Sequence, residues 1–75
     1  MKENDIKKII EKTFKKKIRN IQYLKIGSFN NWDSIAHLNL ILNIEKKYRL
    51  RFTIDEITKM NSVKKIIRTL KKYEV

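Results

Sequence analysis

The sequence contains no cysteine and no proline, and only one glycine and one histidine in 75 residues. Without cysteine the chain has no disulfide, no thiolate zinc site and no cysteine nucleophile, and His37 alone cannot complete a multi-histidine metal site. Any thiol chemistry would therefore have to come from an added group. A chain of this length forms one small domain and leaves no room for a large buried catalytic cleft. We expect a single domain over residues 1–75.

Long hydrophobic runs are also missing from the sequence. No segment approaches the roughly 20 apolar residues that a membrane-spanning helix needs. The charged first eight residues lack the apolar stretch of a secretory signal. Together these absences predict a cytoplasmic protein.

Acidic residues are few, because 19 lysines and arginines face only 8 aspartates and glutamates, and the formal net charge is +11. A charge of this size favours binding to phosphate-rich partners such as nucleic acid or anionic lipid, or to an acidic protein. Lysine, isoleucine and asparagine are all abundant, however, as they would be under a coding bias acting on the whole chain. Charge alone therefore does not decide the function.

Apolar residues at helical spacing are the main pattern in the sequence. Apolar residues recur every three or four positions in the first segment, which predicts a helix from about Asn4 to Lys16 with Asn4 or Asp5 as its cap. Residues 17–33 lose this spacing and yet stay apolar, so we expect a long loop that is held by its own side chains. The side chains expected to hold it are Ile18, Ile21, Tyr23, Leu24, Ile26 and Phe29.

Three further helices follow from cap signals. Asp33 is placed to cap a second helix from Ser34 to about Tyr48. Thr53 and Glu56 have the spacing of a capping box, which opens a short third helix running through Ile57 and Met60, and Ser62 can cap a fourth. Residues 49–54 alternate like a strand but have no second run to pair with, so we interpret them as a connection. The predicted fold is all-α: a small four-helix bundle with a long first loop and a short third helix.

The second helix has a wider apolar arc than a core-facing stripe requires. Leu40, Ile41, Ile44 and Tyr48 share one side, and Ile35, Leu38 and Leu42 share an adjoining side. We infer that the first group is buried and that the second is at least partly available to a cargo or a partner. The alternative is that neighbouring helices bury both groups.

An ordered set of short motifs resembles the acyl carrier protein family over nearly the whole chain beyond the first helix. That family attaches 4′-phosphopantetheine to a serine in an Asp-Ser-Leu or Asp-Ser-Ile motif that opens its second helix. The matching positions, in order, are Asp33-Ser34-Ile35, the apolar Leu38, Leu40, Ile41 and Leu42, Glu45 with Tyr48, Asp55-Glu56-Ile57, and Ser62-Val63. Asp-Ser-Ile alone is a weak signal, but the ordered set is strong.

The resemblance implies an acyl carrier protein-like fold and a non-catalytic carrier. Ser34 would be the attachment site for phosphopantetheine from coenzyme A, and Asp33 would cap the helix and contact the phosphopantetheinyl transferase. The expected contacts with partner or cargo are Trp32, Ile35, Leu38 and Leu42. Enzymes that load and transfer acyl or aminoacyl groups would be the other partners. A monomer without stable nucleic-acid or membrane binding is expected.

The chain departs from the family pattern in two ways. Asn31 stands where many members have glycine, and the bulky Trp32 beside it either covers the loop or meets a partner. Family members present an acidic second helix to basic enzymes, whereas here basic residues surround Glu45, namely Lys46, Lys47, Arg49 and Arg51. Like charges would oppose such binding. We expect partners that are unusually acidic or that use mostly the apolar side of the helix.

The alternative function is that of a basic helical nucleic-acid-binding module. One basic row comprises Lys8, Lys12, Lys15 and Lys16, and another comprises Lys64, Arg68, Lys71 and Lys72. Amphipathic helices show such rows anyway, as solvated faces opposite an apolar stripe. A basic amphipathic helix lying on a membrane surface is a third interpretation.

Overall fold

The computed structural model of the protein describes residues 2–73. Its helices are α1 (Lys2–Phe14), α2 (Ser34–Tyr48), α3 (Ile54–Lys59) and α4 (Val63–Lys72), and these residues form no strand. The predicted all-α, four-helix architecture is thereby confirmed, with its long first loop and short third helix. None of the described helices is long and apolar enough to cross a membrane.

The first helix begins earlier than the sequence suggested. It already includes Lys2, so Asn4 and Asp5 lie inside it and the prediction that one of them caps it is wrong. Glu3 and Asp5 occupy the first turn, where their negative charges favour the positive end of the helix dipole. The helix ends at Phe14 because Lys15 turns into the left-handed region, at a φ of 53°.

The other three N-caps lie where the sequence predicted them. Asp33 accepts from the amide of Ala36 at 2.8 Å, and Ser62 accepts from that of Lys65 at 3.3 Å. Both hydrogen bonds of the Thr53 capping box are formed, between residues 53 and 56. Each cap joins groups three residues apart, so the local sequence contains the information that places it.

The core is one apolar cluster supplied by α1, α2, α4 and the segments between them. On α2 the predicted division is confirmed for Leu40, Ile41 and Ile44, which are fully buried while the adjoining side is open to solvent. Tyr48, predicted to be buried with them, is only half-buried. Residues 49–53 form the expected connection. The remaining buried apolar side chains are Ile6, Ile10, Phe14, Ile21, Trp32, Phe52, Met60, Val63, Ile66 and Leu70.

The long loop is held by backbone hydrogen bonds as well as by side chains. Val63 donates to the carbonyl of Leu24 at 3.0 Å, and Ile26 donates to that of Asn61 at 3.1 Å, which fastens the loop to the α3–α4 connection. Ile21 is buried, as predicted, but Tyr23 is 76% exposed. The prediction that Tyr23 helps to hold the loop is therefore wrong, because its ring points to solvent instead of the core.

Candidate functional site

Ser34 is the first residue of α2 and its side chain is exposed. The loop delivers it there because Asp33, in an extended conformation, ends the loop and caps the helix. The site that the sequence singled out thus lies at a surface helix terminus, where an external enzyme can reach the serine hydroxyl.

The backbone around Ser34 offers hydrogen-bond donors to an anion. Asp33 accepts from the amides of Ala36 and His37, through its side chain and its carbonyl respectively. The amides of Ser34 and Ile35 have no acceptor among the described residues. Free amides at a helix N-terminus and the positive end of the helix dipole both favour a negative group. A phosphate bonded to the Ser34 oxygen would fit this end of the helix.

Trp32 supports the site from within the core. It is only 1% exposed, so the predicted contact of Trp32 with a partner or cargo is incompatible with its position. Its ring stacks on Phe14 with centroids 4.7 Å apart and lies 5.6 Å from the ring of Phe29. Of the two interpretations of this residue, the structure supports the one in which it packs under the loop.

His37 connects this aromatic cluster to the third helix. Its Nδ1 accepts from the indole Nε1 of Trp32 at 2.9 Å, and its Nε2 lies 2.5 Å from the carbonyl oxygen of Met60, the C-cap of α3. With Nδ1 as the acceptor, Nε2 is the ring nitrogen that donates to the Met60 carbonyl. Both nitrogens are engaged and the side chain is buried. His37 therefore cannot serve Ser34 as a general base.

From the sequence, His37 is expected to be a packing or partner-contact residue, and its two hydrogen bonds were not predicted. The signal that could have found its burial is helical register, because His37 precedes Ile41 by four residues and so lies on the buried side of α2. A buried imidazole needs hydrogen-bond partners for both ring nitrogens. Trp32 was one local candidate, whereas Met60 becomes a neighbour only in the folded chain.

Beside Ser34, α2 exposes the three apolar side chains expected to meet a cargo or partner. Ile35 is 75% exposed, Leu38 46% and Leu42 44%. The alternative that neighbouring helices bury them is thereby excluded in the isolated chain. Their exposure is a finding, and their role in contact stays a prediction.

The two basic rows lie on solvent-exposed faces of α1 and α4 and in the residues just after α1. On α4 they are opposite the buried Val63, Ile66 and Leu70, as expected for an amphipathic helix. Lys64 contacts the exposed ring of Tyr23, with its Nζ 5.6 Å from the ring centroid. The exposed positions of both rows agree with the solvated-face interpretation.

In the part of the chain that the structure describes, no three histidine, aspartate or glutamate side chains cluster as they would in a metal site. Comparisons of the chain with protein-family models, with curated proteins and with solved structures found no match. The geometry around Ser34 and the motifs in the sequence are therefore the grounds on which its function is inferred.

Proposed function

We propose that the protein is an acyl or aminoacyl carrier protein whose attachment site for 4′-phosphopantetheine is Ser34. The observation that carries the proposal is an exposed serine at the first position of a capped surface helix, at the end of a long anchored loop. The order of elements, with a short third helix, agrees with the acyl carrier protein-like fold that the motifs imply.

The proposed attachment reaction requires few groups of the protein itself. The Ser34 oxygen attacks the phosphorus that bears the pantetheine arm of coenzyme A; the new O–P bond replaces the pyrophosphate bond, and 3′,5′-ADP leaves. The transferase must take the serine proton, because His37 is already hydrogen-bonded at both nitrogens. The attached arm supplies a terminal thiol that holds the cargo as a thioester. The protein is then a substrate of its partner enzymes.

Other residues of the chain would hold the phosphodiester, the helix end and the cargo or loading enzyme. The free amides of Ser34 and Ile35 can donate to the phosphodiester, and Asp33 keeps the helix end in place. Ile35, Leu38 and Leu42 offer an apolar surface to the cargo or to a loading enzyme. The protein acts as a monomer in the cytoplasm, where coenzyme A and the transferase can reach Ser34.

A reconstituted modification reaction tests this function. The purified protein is incubated with coenzyme A and a broad-specificity phosphopantetheinyl transferase, and its intact mass is measured. We expect wild type and Ser28→Ala to gain one phosphopantetheinyl group and Ser34→Ala to gain none. Ser28 is the matched control, because it is also an exposed serine and lies in the loop before the site. An unmodified wild type, or a modified Ser34→Ala, would remove the proposal.

A further inference from the structure

A row of side chains along α2 changes character halfway along the helix. Beyond the exposed apolar Ile35, Leu38 and Leu42, the same face continues at intervals of three or four residues with Lys46 and Arg49. The apolar half begins beside Ser34, and the cationic half lies at the opposite end of the helix. One surface therefore offers both apolar contact and positive charge.

The cationic half lines an open groove of about 860 Å³ between the end of α1, the outer face of α2 and the connection that follows α2. Leu42 and Leu50 give the groove an apolar part, and Lys46, Arg49 and Arg51 contribute three positive charges. Asn43, which donates to Thr13 at 3.3 Å, belongs to its polar lining.

These three cations have no carboxylate partner among residues 2–73. Within the described residues the one ion pair is Lys59 with Asp55, which lies on α3. Glu45 is the carboxylate in the groove lining, and its Oε2 accepts from the amide of Phe52 at 2.8 Å. The groove therefore presents a net positive charge to whatever enters it.

We propose that this groove, together with the apolar row leading to Ser34, is the docking surface for an acidic partner protein. The partner would place an apolar side chain against Leu42 and carboxylates against Lys46, Arg49 and Arg51. Complementary charges of this kind speed association and select the partner. The identification of that partner as a loading or transfer enzyme rests on the carrier function proposed above, whereas binding to the groove does not.

The lining of the groove favours a protein over other anions. Single-stranded nucleic acid is bound on aromatic platforms, and the groove lining contains no aromatic side chain. A bilayer surface is flat, so that it would not fill a concave groove. A protein segment can supply both the carboxylates and the apolar side chain that the groove accommodates.

Binding of a designed peptide tests the surface. The probe is a fluorescein-labelled helical peptide with leucines spaced three and four residues apart and flanked by glutamates, and its control carries glutamines instead. It is titrated against the unmodifiable Ser34→Ala protein by fluorescence anisotropy. We expect the glutamate peptide to bind more tightly than its control and to shift the amide NMR signals of Leu42, Lys46 and Arg49.

Two matched double charge reversals distinguish docking in the groove from general electrostatic attraction to the positively charged protein. Lys46→Glu with Arg49→Glu alters the groove, and Lys64→Glu with Arg68→Glu alters the net charge equally on α4, which contributes nothing to the groove lining. We expect the groove pair to weaken peptide binding about tenfold and the α4 pair to weaken it less than about threefold, with both variants folded by circular dichroism. Equal losses in the two variants would overturn the proposal.

Two further outcomes would also overturn it. One is that the glutamate and glutamine peptides bind alike. The other is that the groove pair of charge reversals weakens binding of an RNA oligonucleotide or of phosphatidylglycerol vesicles but does not weaken binding of the peptide. Modification of Ser34 is measured separately on the wild-type protein. If Ser34 is modified and the peptide does not bind, the docking surface alone is wrong; if the peptide binds and Ser34 stays unmodified, the carrier function alone is wrong.

Discussion

Among single residues, His37 joins three parts of the molecule: the end of the long loop, α2 and the end of α3. It accepts from Trp32 at the end of the loop, lies on α2, and donates to the carbonyl of Met60 at the end of α3. Since both partners are buried, neither can turn to water if the imidazole is removed. The geometry around Ser34 therefore depends on a buried side chain that does not take part in the proposed modification of Ser34.

We expect His37→Ala to lower the free energy of unfolding by about 2 to 3 kcal/mol, because it leaves the Trp32 indole N–H and the Met60 carbonyl without their partner. Urea unfolding followed by the fluorescence of Trp32, the one tryptophan of the chain, measures the loss. Asn39→Ala is the control, since Asn39 is an exposed residue of the same helix. A His37→Ala midpoint equal to that of the control would show that these hydrogen bonds contribute nothing.

Asp33 is proposed to have two roles, and two substitutions separate them. Asp33→Ala removes the helix cap and should cost about 1 kcal/mol, whereas Asp33→Asn keeps a capping oxygen and should cost a few tenths at most. Both variants are also assayed for the rate of Ser34 modification. If the carboxylate contacts the transferase, Asp33→Asn slows modification while the unfolding curve stays near that of wild type. Unchanged modification by Asp33→Asn would leave the cap as the only role of Asp33.

Among the elements, α1 and α2 end in the same unusual way. Lys15 and Arg49 have φ angles of 53° and 55°, in the left-handed region where glycine is the residue without a steric penalty. The chain has one glycine in all, which lies in the long loop, so side chains occupy both helix ends. At Arg49 the side chain also contributes charge to the groove.

We expect Arg49→Gly and Lys15→Gly each to raise the free energy of unfolding by about 0.5 to 1 kcal/mol, because glycine relieves the left-handed strain. Arg51→Gly is the control, since Arg51 does not have a positive φ and should gain nothing. Chemical denaturation measures all three. Of the two stabilised variants, only Arg49→Gly should weaken binding of the glutamate peptide. Destabilisation by glycine at either position would contradict the strain argument.

The contact between the first turn of α3 and the end of α4 should respond to pH. The Tyr73 hydroxyl donates to Glu56, and this hydrogen bond, with those from the amide and side chain of Thr53, lowers the pKa of Glu56 below its ordinary value. A carboxyl group whose pKa is lower in the folded state stabilises the fold above its unfolded pKa. That contribution is lost as the pH falls through the folded pKa.

Tyr73→Phe removes this donor. We expect the variant to unfold more easily than wild type near neutral pH, and the difference to shrink as the pH falls below the ordinary range of a glutamate, about 4. Thermal unfolding of both proteins between neutral and acidic pH measures it. Thr69→Val, which also removes an exposed hydrogen-bonding hydroxyl but none that reaches Glu56, is the control. A difference that stays constant over this range would contradict the role of the ionised Glu56.

The elements also show which features a sequence can predict. The caps at Asp33, Thr53 and Ser62 join groups within three residues, and all three were predictable. The hydrogen bonds from Val63 to Leu24 and from Ile26 to Asn61 join segments that meet only after folding, and no local pattern indicates them. Tyr23 failed as a prediction because an apolar ring in a loop does not reveal which way it faces. The exposed site at Ser34 was predictable because it depends on a cap and a helical register.

Over the whole molecule, the radius of gyration is 11.2 Å, close to the roughly 11 Å expected for a compact chain of this length. A net charge of +11 is therefore confined to a small surface, and the described residues form a single ion pair. Such a surface repels basic partners and attracts acidic ones over about 8 Å at physiological salt. If Ser34 is modified as proposed, the charge and the exposed apolar row together would select the enzymes that approach it.

The most direct test of the central claim is to locate phosphopantetheine on the protein made in cells. The chain is coexpressed with a phosphopantetheinyl transferase, purified and digested, and the peptide that contains Ser34 is sequenced by tandem mass spectrometry. We expect one phosphopantetheinyl group, attached to Ser34 and to no other residue. A protein that carries none, or that carries it on another residue, would contradict the assignment of Ser34 as the attachment site.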